Sequence, residues 1–112
     1  MIRYDLAGKT ALVTGGATGI GLATSTMLGR NGARVGVNFL PGDARGPAAV
    51  AELKAAGIDA IPAPGDVATE DGARKLIAEA VAALGGRLDL LVNNAGTPGT
   101  KSRIAPAELD KS

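Results

Sequence analysis

The 112-residue chain sets 12 Lys and Arg against 11 Asp and Glu, for a net charge of +1, and has no histidine and no cysteine. Disulfides, Cys/His zinc sites and thiol or imidazole catalysis are excluded within these residues; the balanced charge, with Tyr4 and Phe39 as the only aromatics, gives nucleic acid neither a basic field nor a stacking platform. No apolar run approaches the ~20 residues of a membrane span, and "MIRYDLAGKT" lacks the apolar core of a secretory signal, so a cytoplasmic protein with one core is expected.

In chain order, "TALVT" at 10–14 is a short apolar run between glycines and predicts a strand buried on both faces. Ile20, Ala23, Met27 and Leu28 then recur at helical spacing, and Asn31-Gly32 is a helix stop. "ARVGVNF" at 33–39 predicts a second strand. From Pro47, the positions Val50, Leu53 and Ala56 predict a second helix closed by Gly57. "DAIPAPGDV" at 59–67 predicts a third strand, placed at a sheet edge because Pro62 and Pro64 remove ladder donors.

Thr69 is suited to cap a third helix, with Asp71 in its first turn. Ala73, Leu76, Ile77, Ala80, Val81 and Leu84 form its apolar stripe. "LDLLVNNAG" at 88–96 predicts a fourth strand, and the polar, proline-broken stretch 97–112 predicts a loop. Strands alternating with helices imply an α/β fold with a parallel sheet and right-handed crossovers.

Two stretches carry chemistry. "TGGATGIG" at 14–21 puts four glycines between a strand and a helix. Glycine in an element interior costs roughly 0.5–1 kcal/mol relative to alanine, so a tight turn, a close backbone approach to a phosphate and close helix packing are what such a cluster serves. The helix start adds free N–H groups and a positive dipole end. The spacing Gly15-x-x-x-Gly19-x-Gly21 is neither G-x-G-x-x-G nor a P-loop. The second stretch, "VNNAG" at 92–96, closes the fourth strand, where open parallel sheets bind ligands. The simpler alternatives are a glycine turn used for packing and an Asn-rich turn without a ligand.

Together, "TGGATGIG" on the first strand, "GDV" at 65–67 and "LDLLVNNAG" on the fourth resemble the short-chain dehydrogenase/reductase family up to about Gly96. The resemblance implies a Rossmann-type doubly wound sheet with four strands in the order 3-2-1-4 and three helices. Residues 1–96 would form the first half of a dinucleotide-binding domain, and 97–112 a loop leading to its second half. Gly15, Gly19, Ile20 and Gly21 would carry the pyrophosphate and adjacent ribose. Asp66 would bond the adenine amino group, and Val67 would pack on the ring. Asn93 would tie the sheet near the cofactor, and Ala95 and Gly96 would line the path to the nicotinamide ribose.

The implied reaction is hydride transfer between a nicotinamide cofactor and an alcohol or carbonyl substrate, in the style of 3-oxoacyl-carrier-protein reductases or sugar and polyol dehydrogenases. The family's Tyr-x-x-x-Lys, with its preceding serine, is what that chemistry needs. Tyr4 is the only tyrosine, and Gly8 stands four residues on. Catalytic residues are therefore expected to be absent, with the chain inactive alone as the first half of a dehydrogenase. The fourth strand would then be an exposed apolar edge prone to self-association. The full protein would be a homo-oligomer with no nucleic-acid or membrane partner.

An acidic residue at the end of the second strand selects NAD over NADP. Phe39 stands at that position between Asn38 and Leu40, which favours NADP. No basic residue precedes Gly19, where Thr18 stands instead; Thr18 and Asn38 could hydrogen-bond a phosphate, and Arg45 or Asp43 could swing in from the loop, toward NADP or NAD respectively. The alternative leaves Asp43 and Arg45 as solvated charges. Two other functions fit the residues less well. A non-catalytic nucleotide-binding or partner-completing short chain is supported only by length. A methyltransferase binding S-adenosylmethionine is opposed by the NNAG segment.

Overall fold

Four parallel strands form one sheet in the order β3-β2-β1-β4 in the computed structural model, which describes residues 5–94. Strand β1 is Thr10–Thr14, helix α1 Gly19–Arg30, β2 Arg34–Phe39, α2 Arg45–Ala55, β3 Ala60–Pro64, α3 Glu70–Ala83 and β4 Leu90–Asn93. In register, Ala11 lies opposite Val35 on one side and Leu90 on the other.

All five residues of β1 are buried, because the strand is central and covered on both faces. Ala11 and Val13 join Val35, Val37, Val50 and Leu53 in one core, while Leu12 joins Leu76, Ala80 and Leu84 in the other. The period-2 alternation of a strand thus divides β1 between the α1–α2 layer and the α3 layer. The chain moves outward from β1 to β2 to β3 on one face, then crosses the other face to β4. That reversal leaves the carboxyl ends of β1 and β4 at a topological switch point.

Several boundaries differ from the sequence expectation. Helix α2 begins at Arg45 rather than Pro47, and Ala56 is its exposed C-cap. Strand β3 spans five residues, at the edge as expected, and β4 only four. The apolar stripe expected on α1 is a correction: Ile20 is 77% and Met27 56% exposed. The buried face keeps Leu28 from the expected stripe but is otherwise formed by Gly21 and Ser25. Small side chains let the helix seat close to the sheet, so its inner face is marked by size rather than by hydrophobicity. Thr69 caps α3 as expected, its Oγ1 accepting the Gly72 N–H at 3.0 Å. Among the described residues no helix is long and apolar enough to cross a membrane.

Candidate functional site

The site grows from the β1–α1 turn. Gly19 opens α1 with φ +54°, and Thr18 before it is extended. A side chain at Gly19 would meet open space, so the backbone conformation alone demands glycine there. Gly21 answers a different need, since a Cβ on it would collide with the Gly15 carbonyl oxygen and lie 2.8 Å from Asn94 Nδ2. Its bare backbone seats the helix on the turn. Ser25, fully buried, secures that seat with a hydroxyl 2.9 Å from the Gly21 oxygen and 3.3 Å from the Gly16 oxygen.

The first three N–H groups of α1, at Gly19, Ile20 and Gly21, have no preceding turn to bond. Thr18 makes no side-chain cap, and no acid lies in the first turn. The other two helices are filled at the same place. Asp43 Oδ1 accepts the Arg45 N–H at the start of α2, and α3 has the Thr69 cap with Glu70 and Asp71 beside it. Among the described residues, α1 is the helix start left open to an anion, next to the exposed apolar surface of Ile20.

A cleft of about 310 Å³ opens beside this turn, across the carboxyl ends of β1, β2 and β3. Gly15, Thr18, Phe39, Asp66 and Val67 meet around it. Asp66 Oδ1 accepts the Ala68 N–H at 2.9 Å, which shapes the turn after β3. Phe39 is half-buried, and a Cβ at Gly46 would fall on its ring, so the start of α2 rests on that aromatic face.

Asn38 requires a correction. It is 2% exposed, and its amide is committed internally. Oδ1 accepts the Gly15 N–H at 3.1 Å, while Nδ2 donates to the Ala63 oxygen at 2.9 Å and the Gly65 oxygen at 3.2 Å. With both amide protons used, Asn38 braces the turns after β1 and β3 and has no donor left for a ligand phosphate.

Asp43 and Arg45 also differ from expectation. They neither swing separately nor stand isolated: Arg45 Nε meets Asp43 Oδ1 at 3.0 Å and Nη2 meets Oδ2 at 2.8 Å. Both residues line the cleft. The Arg45 hydrogen bonds hold the Asp43 carboxyl down at about 2.

Across β1 from the cleft, Thr14 Oγ1 lies 3.0 Å from Asn93 Oδ1 and accepts the Asn94 N–H at 2.9 Å. Asn94 Nδ2 reaches the Gly15 oxygen at 3.4 Å. Asn93 therefore stitches the ends of β1 and β4, on the far side of β1 from the cleft. Ala95 and Gly96, the loop 97–112 and Tyr4 lie outside the described residues. Sequence reasoning missed Thr14, Ser25 and Asn94. The signal for Ser25 was available, since it sits one turn after Gly21 on the face that carries Leu28.

The family model for short chain dehydrogenase matches residues 9–112. The L-rhamnose 1-dehydrogenase (NAD(P)(+)) of a Sphingomonas species is 43% identical over 91 residues, covering 81% of this chain and 35% of the relative. The 3-oxoacyl-acyl-carrier-protein reductase of Staphylococcus aureus is 41% identical over 88 residues, covering 79% of this chain and 35% of that protein. Among solved structures, the Pseudomonas aeruginosa RhlG/NADP active-site complex superimposes with a TM-score of 0.74 at 44% identity, covering 87% of this chain and 37% of the other. The chain thus spans well under half the length of these relatives.

Proposed function

The chain belongs to the short-chain dehydrogenase family, and from that premise we propose that it forms the NAD(P)-binding part of an oxidoreductase that moves a hydride between nicotinamide and an alcohol or carbonyl compound. The observation that carries the reading is the open start of α1, beside a cleft at the ends of three strands. An anion fits there because backbone N–H groups and a dipole end are already aimed and need no reorganisation on binding.

In this reading Gly15, Thr18, Gly19, Ile20 and Gly21 hold the pyrophosphate and the neighbouring ribose. Asp66 bonds the adenine amino group and Val67 packs on its ring. Asn93, through Thr14, keeps the β4 end in place, and Ala95 and Gly96 line the way to the nicotinamide ribose. The nicotinamide supplies or accepts the hydride; this chain's residues bind and orient it.

Phe39 in place of an acid at the end of β2 supports NADP(H) over NAD(H). Relatives named for a sugar and for a 3-oxoacyl carrier protein support small carbonyl or hydroxyl substrates. The whole protein is read as a cytoplasmic homo-oligomer, residues 1–96 as the first half of its cofactor domain and 97–112 as a loop. Half-buried Leu91 and Val92 and exposed Leu90 on β4 support self-association of the 112-residue chain.

The 112 residues contain no Tyr-x-x-x-Lys, so the chain alone is expected to bind cofactor without turnover. Titration of the naturally produced protein with NADPH and NADH, followed by cofactor fluorescence, tests the reading. Saturable binding that Gly21→Val abolishes supports it; failure to bind either cofactor overturns it.

A further inference from the structure

We propose that Pro62 and Pro64 seal the outer edge of the sheet, so that a second copy of this chain cannot extend it by adding a strand to β3. The inference is independent of the nucleotide-binding reading, since it rests on the backbone of one edge strand. Strand β3 pairs with β2 in a register that runs unbroken from Val35 opposite Ala60 to Phe39 opposite Pro64. Two bonds fix which backbone groups face inward: the Val35 N–H donates to the Asp59 oxygen at 2.9 Å, and the Gly65 N–H donates to the Phe39 oxygen at 3.0 Å. Facing alternates residue by residue along a parallel strand, so Ile61 and Ala63 turn their N–H and C=O groups to β2. Ala60, Pro62 and Pro64 turn theirs outward, where no strand lies beyond β3 among the described residues.

Both prolines thus stand at outward positions and leave Ala60 as the one residue of β3 with an outward N–H. An added strand bonds by exchanging N–H and C=O groups with the edge, and here two of the three donors are missing. The arrangement costs the fold no ladder bond, because neither proline faces β2. A charged side chain and a bulge, which guard other edges, are absent from this one: the segment AIPAP has no charge, and its register is continuous. Without the prolines the edge would attract a strand. A cavity of about 150 Å³ beside it is lined by Pro62 and Pro64 on the strand and by Leu76 and Ala80 on α3, so an incoming strand would find apolar backing as well as an open ladder.

The test is sedimentation of the naturally produced protein and of two double variants over a range of concentrations. The first, Pro62→Val with Pro64→Thr, restores both outward N–H groups on residues that favour strands. The second, Pro62→Lys with Pro64→Lys, restores the same N–H groups and loses the same ring constraint but places charges on the edge. The first is expected to associate, its weight-average mass rising with concentration to roughly twice that of the unmodified protein or more, with a gain in the infrared band of intermolecular sheet. The second is expected to keep the unmodified mass. Pro62→Val alone, which restores one N–H, should associate more weakly than the first pair, and it carries the comparison if that pair does not melt cooperatively. If the valine and threonine substitutions leave the mass unchanged, the prolines do not seal the edge. If the lysine substitutions promote association as strongly, its cause is a loosened fold and not an open ladder. Either result overturns the proposal.

Discussion

Asn38 and Gly15 stand 23 residues apart in the chain, and the Asn38 side chain joins them directly, its Oδ1 accepting the Gly15 N–H at 3.1 Å. Because the same amide donates to the Ala63 and Gly65 oxygens, one buried group sets the spacing between the two walls of the cleft. Asn38→Asp keeps the shape but turns a donor into an acceptor facing two carbonyls. A loss of about 1–3 kcal/mol or more is expected, read as the shift in urea midpoint. Asn38→Leu should lose a similar amount by orphaning the same groups. A shift under half a kilocalorie for both would show that the brace is dispensable.

Two glycines of the turn should fail in different ways. Gly21→Ala places a Cβ against the Gly15 carbonyl, so helix and turn must separate, and both stability and nucleotide affinity should fall. Gly19→Ala meets no neighbour and suffers only the positive φ, a strain of about 1–2 kcal/mol. Equal losses in parallel thermal melts would contradict the packing argument.

The two threonine helix starts invite a direct comparison. Thr69→Ala removes a cap bond and should cost about 1 kcal/mol. Thr18→Ala removes no cap bond and should leave the melting temperature nearly unchanged, while any effect it has should appear in nucleotide affinity.

Acid should loosen the seam between β1 and β4. Asp89 accepts the Thr10 N–H at 2.8 Å and its carboxyl is held below its usual range, chiefly by that bond. A folded-state value below the unfolded one gives stability that is present above the ordinary carboxylate range and is lost as pH falls through the lowered value. The melting temperature of the unmodified protein should drop on acidification below pH 4, and Asp89→Asn should flatten that part of the profile. Identical slopes would remove Asp89 from the acid response.

In the core, Leu53 is 2% exposed and sits beneath α2 against β2. Leu53→Ala should cost about 2–5 kcal/mol, whereas Met27→Ala, at a position 56% exposed, should cost under about 1 kcal/mol. Guanidinium unfolding of the pair checks the assignment of the buried face of α1 as well.

Those contrasts mark what the residues alone could disclose. The first strand and the third helix were legible because "TALVT" has an apolar centre and α3 repeats its apolar positions at helical spacing, while the strand order followed only from the family resemblance. The inner face of α1 was not, since Gly21 and Ser25 pack by being small, and a hydrophobicity pattern passes over them. Asn38 looked like a ligand contact because its surroundings come from β1 and β3, which no local reading of β2 brings near. The Asp43–Arg45 bond was hidden for a different reason: two charges at i and i+2 pair only if the loop before α2 bends back, and the side-chain fork forms after that bend.

The central place of β1 has a consequence in time. Its ladder partner on one side, β2, follows after a single helix, but its partner on the other side arrives nearly 80 residues later, as the Thr14–Asn93 bond shows. During synthesis the units from β1 to β3 can assemble from local contacts, and one edge of the most buried strand then waits, unpaired, until β4 has left the ribosome. The slow and hazardous interval in making this protein is thus the one before Leu90–Asn93 docks, when a neighbouring nascent chain offers the same strand.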